Sequence, residues 1–244
     1  MDRRRFARAC ASLVAAAPFA ARAVASPEGA RAATAAGTDP GAPRSRLVFE
    51  DGRPVTPADL AEDEAWIFGY PYVVTPAFLV RLGPAAVART EDAEPAAGDG
   101  APGSGPRVVA FSAICTHRMT HPSRPISHIG YRRSPIAYLD AGGERLERSG
   151  LISCCSGRSL FDPGADGAVL AGPAPAPLAR VTLEVDAGAV HAVGASDPAL
   201  RERFIDAFGF RLGLEHGLGD VRARPGAAVA VEPAARFSRQ RVEC

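Results

Sequence analysis

The chain has 244 residues, the size of one ordinary domain with tails. Its 28 basic residues are all arginine and nearly balance 27 acidic ones. The resulting net charge of +1 excludes the general electrostatic footprint of a nucleic-acid or anionic-membrane binder.

Residues 1–25 read as an export signal. Arg3, Arg4, Arg5 and Arg8 form a basic head, Ala9–Ala21 an apolar run, and Ala23-Val24-Ala25 an A-x-A cleavage site before Ser26. The stretch Arg3-Arg4-Arg5-Phe6-Ala7-Arg8 resembles the twin-arginine export motif, with alanine where leucine is usual. Thirteen apolar residues at ~1.5 Å each span only about 20 Å of the roughly 30 Å of a bilayer core, so cleavage is expected rather than anchorage. Beyond position 30 no run of 18 uncharged apolar residues occurs, and no transmembrane anchor is expected in the mature chain. Without the signal the chain holds 23 basic and 26 acidic residues, a net of −3. Proteins exported by the twin-arginine route travel folded, often with a cofactor already inserted. A periplasmic location is the expectation.

Residues 26–46 are rich in Ala, Pro and Gly without hydrophobic periodicity, the pattern of a flexible leader. A β domain is expected over 47–195. Trp66-Ile67-Phe68, Tyr72-Val73-Val74 and Phe78-Leu79-Val80 are short apolar runs separated by glycine and proline. Glu91–Pro106 is low-complexity and reads as a loop, and Arg107–Ile114 returns to strand. Arg180–Val185 and Ala189–Val193 are two more strands, joined by the tight-turn sequence Asp186-Ala187-Gly188. Residues 196–244 form a C-terminal helical extension. Asp197-Pro198 is an N-cap with proline at the first helical position, Leu200, Phe204, Phe208 and Leu212 recur every four residues, and Gly217 is the stop. Ala227–Val231 is a candidate last strand.

Four cysteines remain after the signal: Cys115, Cys154, Cys155 and Cys244. Two disulfides are the default in an exported protein. Against that default, Cys154 and Cys155 are adjacent, and Cys115-Thr116-His117 places a thiolate and an imidazole two residues apart just after a strand. Such a pair can ligate a metal centre from one loop while a second loop supplies the rest.

Three segments resemble the Rieske [2Fe–2S] family. Phe111–His117 looks like the strand and first cluster loop, with its C-T-H hallmark. Cys154-Cys155-Ser156-Gly157-Arg158-Ser159-Leu160-Phe161-Asp162 looks like the second loop, usually C-P-C-H-G-S-x-[YF]-D. Gly167–Leu178 matches the proline-rich loop that covers the cluster. The resemblance spans about Trp66 to Val193. It implies an all-β fold, a Rieske-type antiparallel β-sandwich with two cluster-binding loops, plus the C-terminal helix. It also implies a [2Fe–2S] cofactor, with Cys115 and Cys154 on the inner iron and His117 on the outer. The family's fourth ligand, a histidine three residues after the second cysteine, is here Gly157. Cys155, His121, Cys244 or His128 can supply the missing donor, or the domain carries no cluster. Cys155 would make the set Cys115, His117, Cys154 and Cys155. Phe161 stands where the family's tyrosine donates to a ligand, which predicts a lowered potential.

No Ser/His/Asp triad or paired-carboxylate motif is present, so catalysis is expected to reside in a partner rather than in this chain alone. The leading expectation is an exported electron-transfer protein serving a redox partner, a cytochrome or an oxidoreductase subunit. The alternative is a cluster-free Rieske-like scaffold or binding module held by disulfides.

Overall fold

The computed structural model describes residues 39, 41–83 and 107–244. The export signal, most of the leader and the 91–106 loop lie outside the described residues. Strands β1 (Ser45–Val48), β2 (Ala65–Gly69), β3 (Pro76–Arg81) and β4 (Val108–Ser112) come first. Then follow β5 (Ile126–Ser127), β6 (Ile129–Arg132), β7 (Ile136–Leu139), β8 (Arg145–Arg148), β9 (Leu151–Cys154), β10 (Ser159–Asp162) and β11 (Ala168–Ala171). β12 (Arg180–Asp186) and β13 (Ala189–Ala195) lead into helix α1 (Pro198–His216). The described chain ends with β14 (Ala228–Ala230), β15 (Glu232–Pro233), the short helix α2 (Ala234–Phe237) and β16 (Gln240–Arg241).

Eight strands form the large sheet in the order β14-β1-β13-β12-β4-β3-β2-β15. Its two outermost strands are separated only by Val231, so one short segment pairs with β1 at one end and with β2 at the other. The sheet thereby curls into a near-barrel. Most pairs are antiparallel; β1 with β14 and β5 with β16 run parallel.

Period-two alternation decides which side chain goes where. Phe68, Ala77, Leu79, Ala110 and Val181 fill the inside of the near-barrel with Leu47 and Val190. The neighbouring positions Ile67, Phe78, Val80, Val109 and Phe111 face outwards onto a four-stranded sheet ordered β11-β10-β9-β6. There they meet Ile129, Ile152, Cys154 and Phe161. The fold is therefore all-β with a C-terminal helix, a small sheet packed on one wall of a larger one.

The run Tyr72-Val73-Val74 is a turn between β2 and β3 rather than a strand. Its Tyr72 and Val74 are buried because α1 lies on them: Leu200, Phe204, Ile205 and Leu212 pack there together with Ile114 and Ala179. Asp197 caps that helix by accepting from the Leu200 N–H at 2.9 Å, and Gly217 ends it in the left-handed conformation. Ala187 and Gly188 both have positive φ, the conformation a two-residue hairpin turn requires. Among the described residues no helix is long and apolar enough to cross a membrane.

Candidate functional site

Three loops meet at one end of the small sheet. The first follows β4, where the Met119 N–H donates to the Cys115 carbonyl and the Cys115 N–H to the Thr120 carbonyl, both at 2.8 Å. The second is the β9–β10 hairpin tip, Cys155–Arg158. The third runs through Gly172–Leu178, and the Thr116 hydroxyl ties the first loop to it by donating to the Ala176 carbonyl at 2.7 Å. Gly172 has φ +90°, and a Cβ there would stand 2.3 Å from the Arg158 carbonyl oxygen. Only glycine lets the third loop lie against the second.

Cys115 and Cys154 come from different loops and are both fully buried with free thiols. They hydrogen-bond to each other. Donation from Cys154 brings the Cys115 thiol down to about 6 against the opposing effect of burial, helped by the His117 and Arg118 N–H groups. Cys154 is pushed up, because its own proton is the one held between the sulfurs and because it is buried. The Thr120 hydroxyl and the Gly157 N–H also reach Cys154. The two sulfurs thus lie side by side and buried, the donor chemistry a thiophilic metal prefers.

Two further buried polar atoms lie on the same loops. His117 lies against Gly157, whose added Cβ would stand 2.6 Å from the His117 Nδ1. That Nδ1 is buried without a hydrogen-bond partner. Ser159, directly opposite Cys154 in the β9–β10 pairing, is fully buried, and its Oγ is likewise unpartnered. Buried polar groups are ordinarily satisfied, so two orphans beside two buried thiols mark a place built for something else.

The remaining expected donors go elsewhere. Cys155 is in a disulfide with Cys244, across a Cα–Cα distance of 5.7 Å, and a disulfide sulfur has no thiolate to give. In this form Cys155 is therefore not available as the third thiolate, nor is Cys244. His121 is packed edge-on against Phe204 and Phe208 at 4.7 and 5.0 Å, with its Nδ1 2.9 Å from the Met119 carbonyl. Burial pushes its pKa down. It serves as a contact between the first loop and α1. His128 is half-buried between β5 and β6, and its carbonyl accepts from the Cys155 N–H at 2.7 Å. Among the described residues no three metal-capable side chains converge.

A [2Fe–2S] cluster of the Rieske kind takes two cysteines and two histidines. Among the described residues only the two thiols of Cys115 and Cys154 are brought together; His117 is on the same loop as Cys115, and no fourth donor is present. This set does not fit a complete four-ligand cluster.

Sequence reasoning allowed for disulfides among the four cysteines but did not find this pairing. Its partners are 89 positions apart, and no local pattern links them.

No family model and no curated protein sequence matches the chain. Among solved structures, the chain is similar to the soluble domain of the Rieske protein II from Sulfolobus acidocaldarius. The identity is 25% and the TM-score 0.40, over 66% of this chain and 81% of that one.

Proposed function

We propose that this chain is an exported electron-transfer protein of Rieske type, working as subunit or partner of a periplasmic oxidoreductase. One observation carries the reading: Cys115 and Cys154, from two separate loops, are buried side by side with free thiols, and the same two loops carry the unpartnered buried His117 Nδ1 and Ser159 Oγ. A thiolate-bound iron–sulfur group supplies one-electron chemistry. The chain's own part is to hold two sulfurs in place with the His117, Arg118 and Gly157 N–H groups, and to keep water off them with the loop through Gly172–Leu178. The C-T-H and proline-rich segments support the same reading, and the Arg3–Arg8 run supports export. The electron donor and acceptor are partner proteins.

A second reading, a cluster-free scaffold, is favoured by Gly157 at the fourth ligand position and by the Cys155–Cys244 disulfide. Iron and acid-labile sulfide per chain separate the two, measured on protein exported with its own signal and accompanied by a reduced-state EPR spectrum. Two irons and two sulfides support the electron carrier. A colourless protein without iron refutes it.

A further inference from the structure

A cavity of about 380 Å³ opens between β6, the edge strand of the small sheet, and β2 of the large one. Its walls are tied at fixed positions. The Tyr131 hydroxyl of β6 donates to Asp63, just ahead of β2, at 2.5 Å, and the Val242 N–H of the terminal segment donates to the Ser127 carbonyl at 2.8 Å. The cavity therefore belongs to the fold, and it has the size of a small-molecule site. Ile67, Phe78 and Ile129, all buried, give it an apolar wall. It shares no side chain with the Cys115–Cys154 pair.

Two charged groups on opposite walls are left unsatisfied. Arg132, on β6, exposes only 17% of its side chain, and its buried Nη1 has no hydrogen-bond partner. Its Nη2 stands 3.4 Å from the Ser134 hydroxyl and 3.3 Å from one carboxylate oxygen of Glu243 in the terminal segment. A guanidinium buried to that extent ordinarily has its N–H groups satisfied. Glu243 thus holds one prong of a fork whose geometry takes two carboxylate oxygens. On the β2 wall, Glu64 is half-buried and has neither a hydrogen-bond nor an ion-pair partner among the described residues. A positive group, a negative group and an apolar wall around one space match a molecule that carries a carboxylate, an ammonium and an apolar body.

We propose that this cavity binds a free α-amino acid with an apolar side chain. The ligand's carboxylate takes both Nη1 and Nη2 of Arg132 in place of Glu243, its ammonium meets Glu64, and its side chain lies against Ile67, Phe78 and Ile129. Displacing Glu243 costs little, because its side chain is 58% exposed and simply returns to water. The inference goes beyond the electron-transfer reading and does not depend on iron.

Calorimetric titration of the full chain in its disulfide form tests this, with L-leucine and three probes that each lack one of its parts. Isocaproate has no ammonium, isoamylamine no carboxylate and glycine no apolar body. Leucine should bind, and each of the three at least about tenfold more weakly. Glu64→Gln should abolish the preference for leucine over isocaproate, and Arg132→Gln that for leucine over isoamylamine. Glu243→Gln removes the competing carboxylate, so it should bind leucine more tightly than wild type does, a gain that a merely structural role would not give. Absence of leucine binding, equal binding of all four probes, or preferences unchanged in both Glu64→Gln and Arg132→Gln overturn the proposal. Should Arg132→Gln be poorly folded, Glu64→Gln and Glu243→Gln decide it, since Glu64 has no partner to lose and Glu243 is exposed. Iron content enters none of these outcomes, so they leave the electron-transfer reading as it stands.

Discussion

Removing the Cys155–Cys244 disulfide changes the unfolded chain more than the folded one. The bond closes a loop of 89 residues, and in the chain-entropy account such a loop removes about 15 cal/mol/K from the denatured ensemble, or about 4.5 kcal/mol at 25 °C. The native contacts of segment 239–244, the β16–β5 pairing and the Arg239 N–H bond to the Arg124 carbonyl at 2.9 Å among them, do not run through the bond itself. Cys244→Ser should therefore lower the unfolding free energy by about 4.5 kcal/mol, a large part of the 5–15 kcal/mol typical of a domain. Equilibrium denaturation in guanidinium chloride, with oxidised wild type alongside, measures this. The m-value should rise, since an uncrosslinked chain exposes more surface when it unfolds. Cys155→Ser should give the same loss. A loss below about 1 kcal/mol would refute the reasoning, as would two variants that differ from each other by more than the loss itself.

Gly172→Ala puts a Cβ 2.3 Å from the Arg158 carbonyl at φ +90°, so it should cost at least about 2 kcal/mol in thermal denaturation; a change near zero would mean that the third loop does not press on the second. Ser159→Ala removes a buried hydroxyl with no partner, so in iron-free protein it should be neutral or stabilising by up to about 1 kcal/mol. By contrast, Ser127→Ala breaks a 2.6 Å bond to the Ile129 carbonyl and should cost about 1 kcal/mol; equal effects in the two variants would contradict the assignment of Ser159 as an orphan. His121 has its pKa lowered by burial, so the unfolded chain takes up the proton first. Stability should then fall as pH drops below about 6.5, by up to about 1.4 kcal/mol per unit until the folded-state pKa is passed. Denaturation at a series of pH values should show this slope reduced in His121→Gln; an unchanged slope assigns it to other groups.

Local patterns carried most of the architecture. The β2–β4 strands announce themselves through apolar runs between glycines and prolines, and α1 through Asp197-Pro198, the four-residue spacing of Leu200 to Leu212 and Gly217. The same patterns mislead at Tyr72-Val73-Val74, where burial comes from a helix more than a hundred positions later, not from a sheet. His121 was open as a ligand because its aromatic neighbours, Phe204 and Phe208, are far away in sequence. Between His117 and Cys154 a hairpin, β7–β8, went unread, although its turn residues Asp140-Ala141-Gly142-Gly143 are a readable signal. The Cys115–Cys154 pairing was legible only through family resemblance, since spacing alone does not say that two loops 39 positions apart meet.

The single-residue step at Val231, which closes the large sheet, has a bearing on how the chain is made. β2 waits for β15, and β1 for β14, across most of the polypeptide. Synthesis at roughly 5–20 residues per second separates the appearance of β2 from that of β15 by on the order of 10–30 s. Throughout that interval the Ala65–Gly69 strand presents a bare edge of unpaired N–H and C=O groups, an invitation to pair with another nascent chain. Contacts of such long sequence separation also form slowly. Crowding of nascent chains should therefore cause aggregation, and lowering the number of chains made at once should recover more soluble protein than stabilising the finished fold.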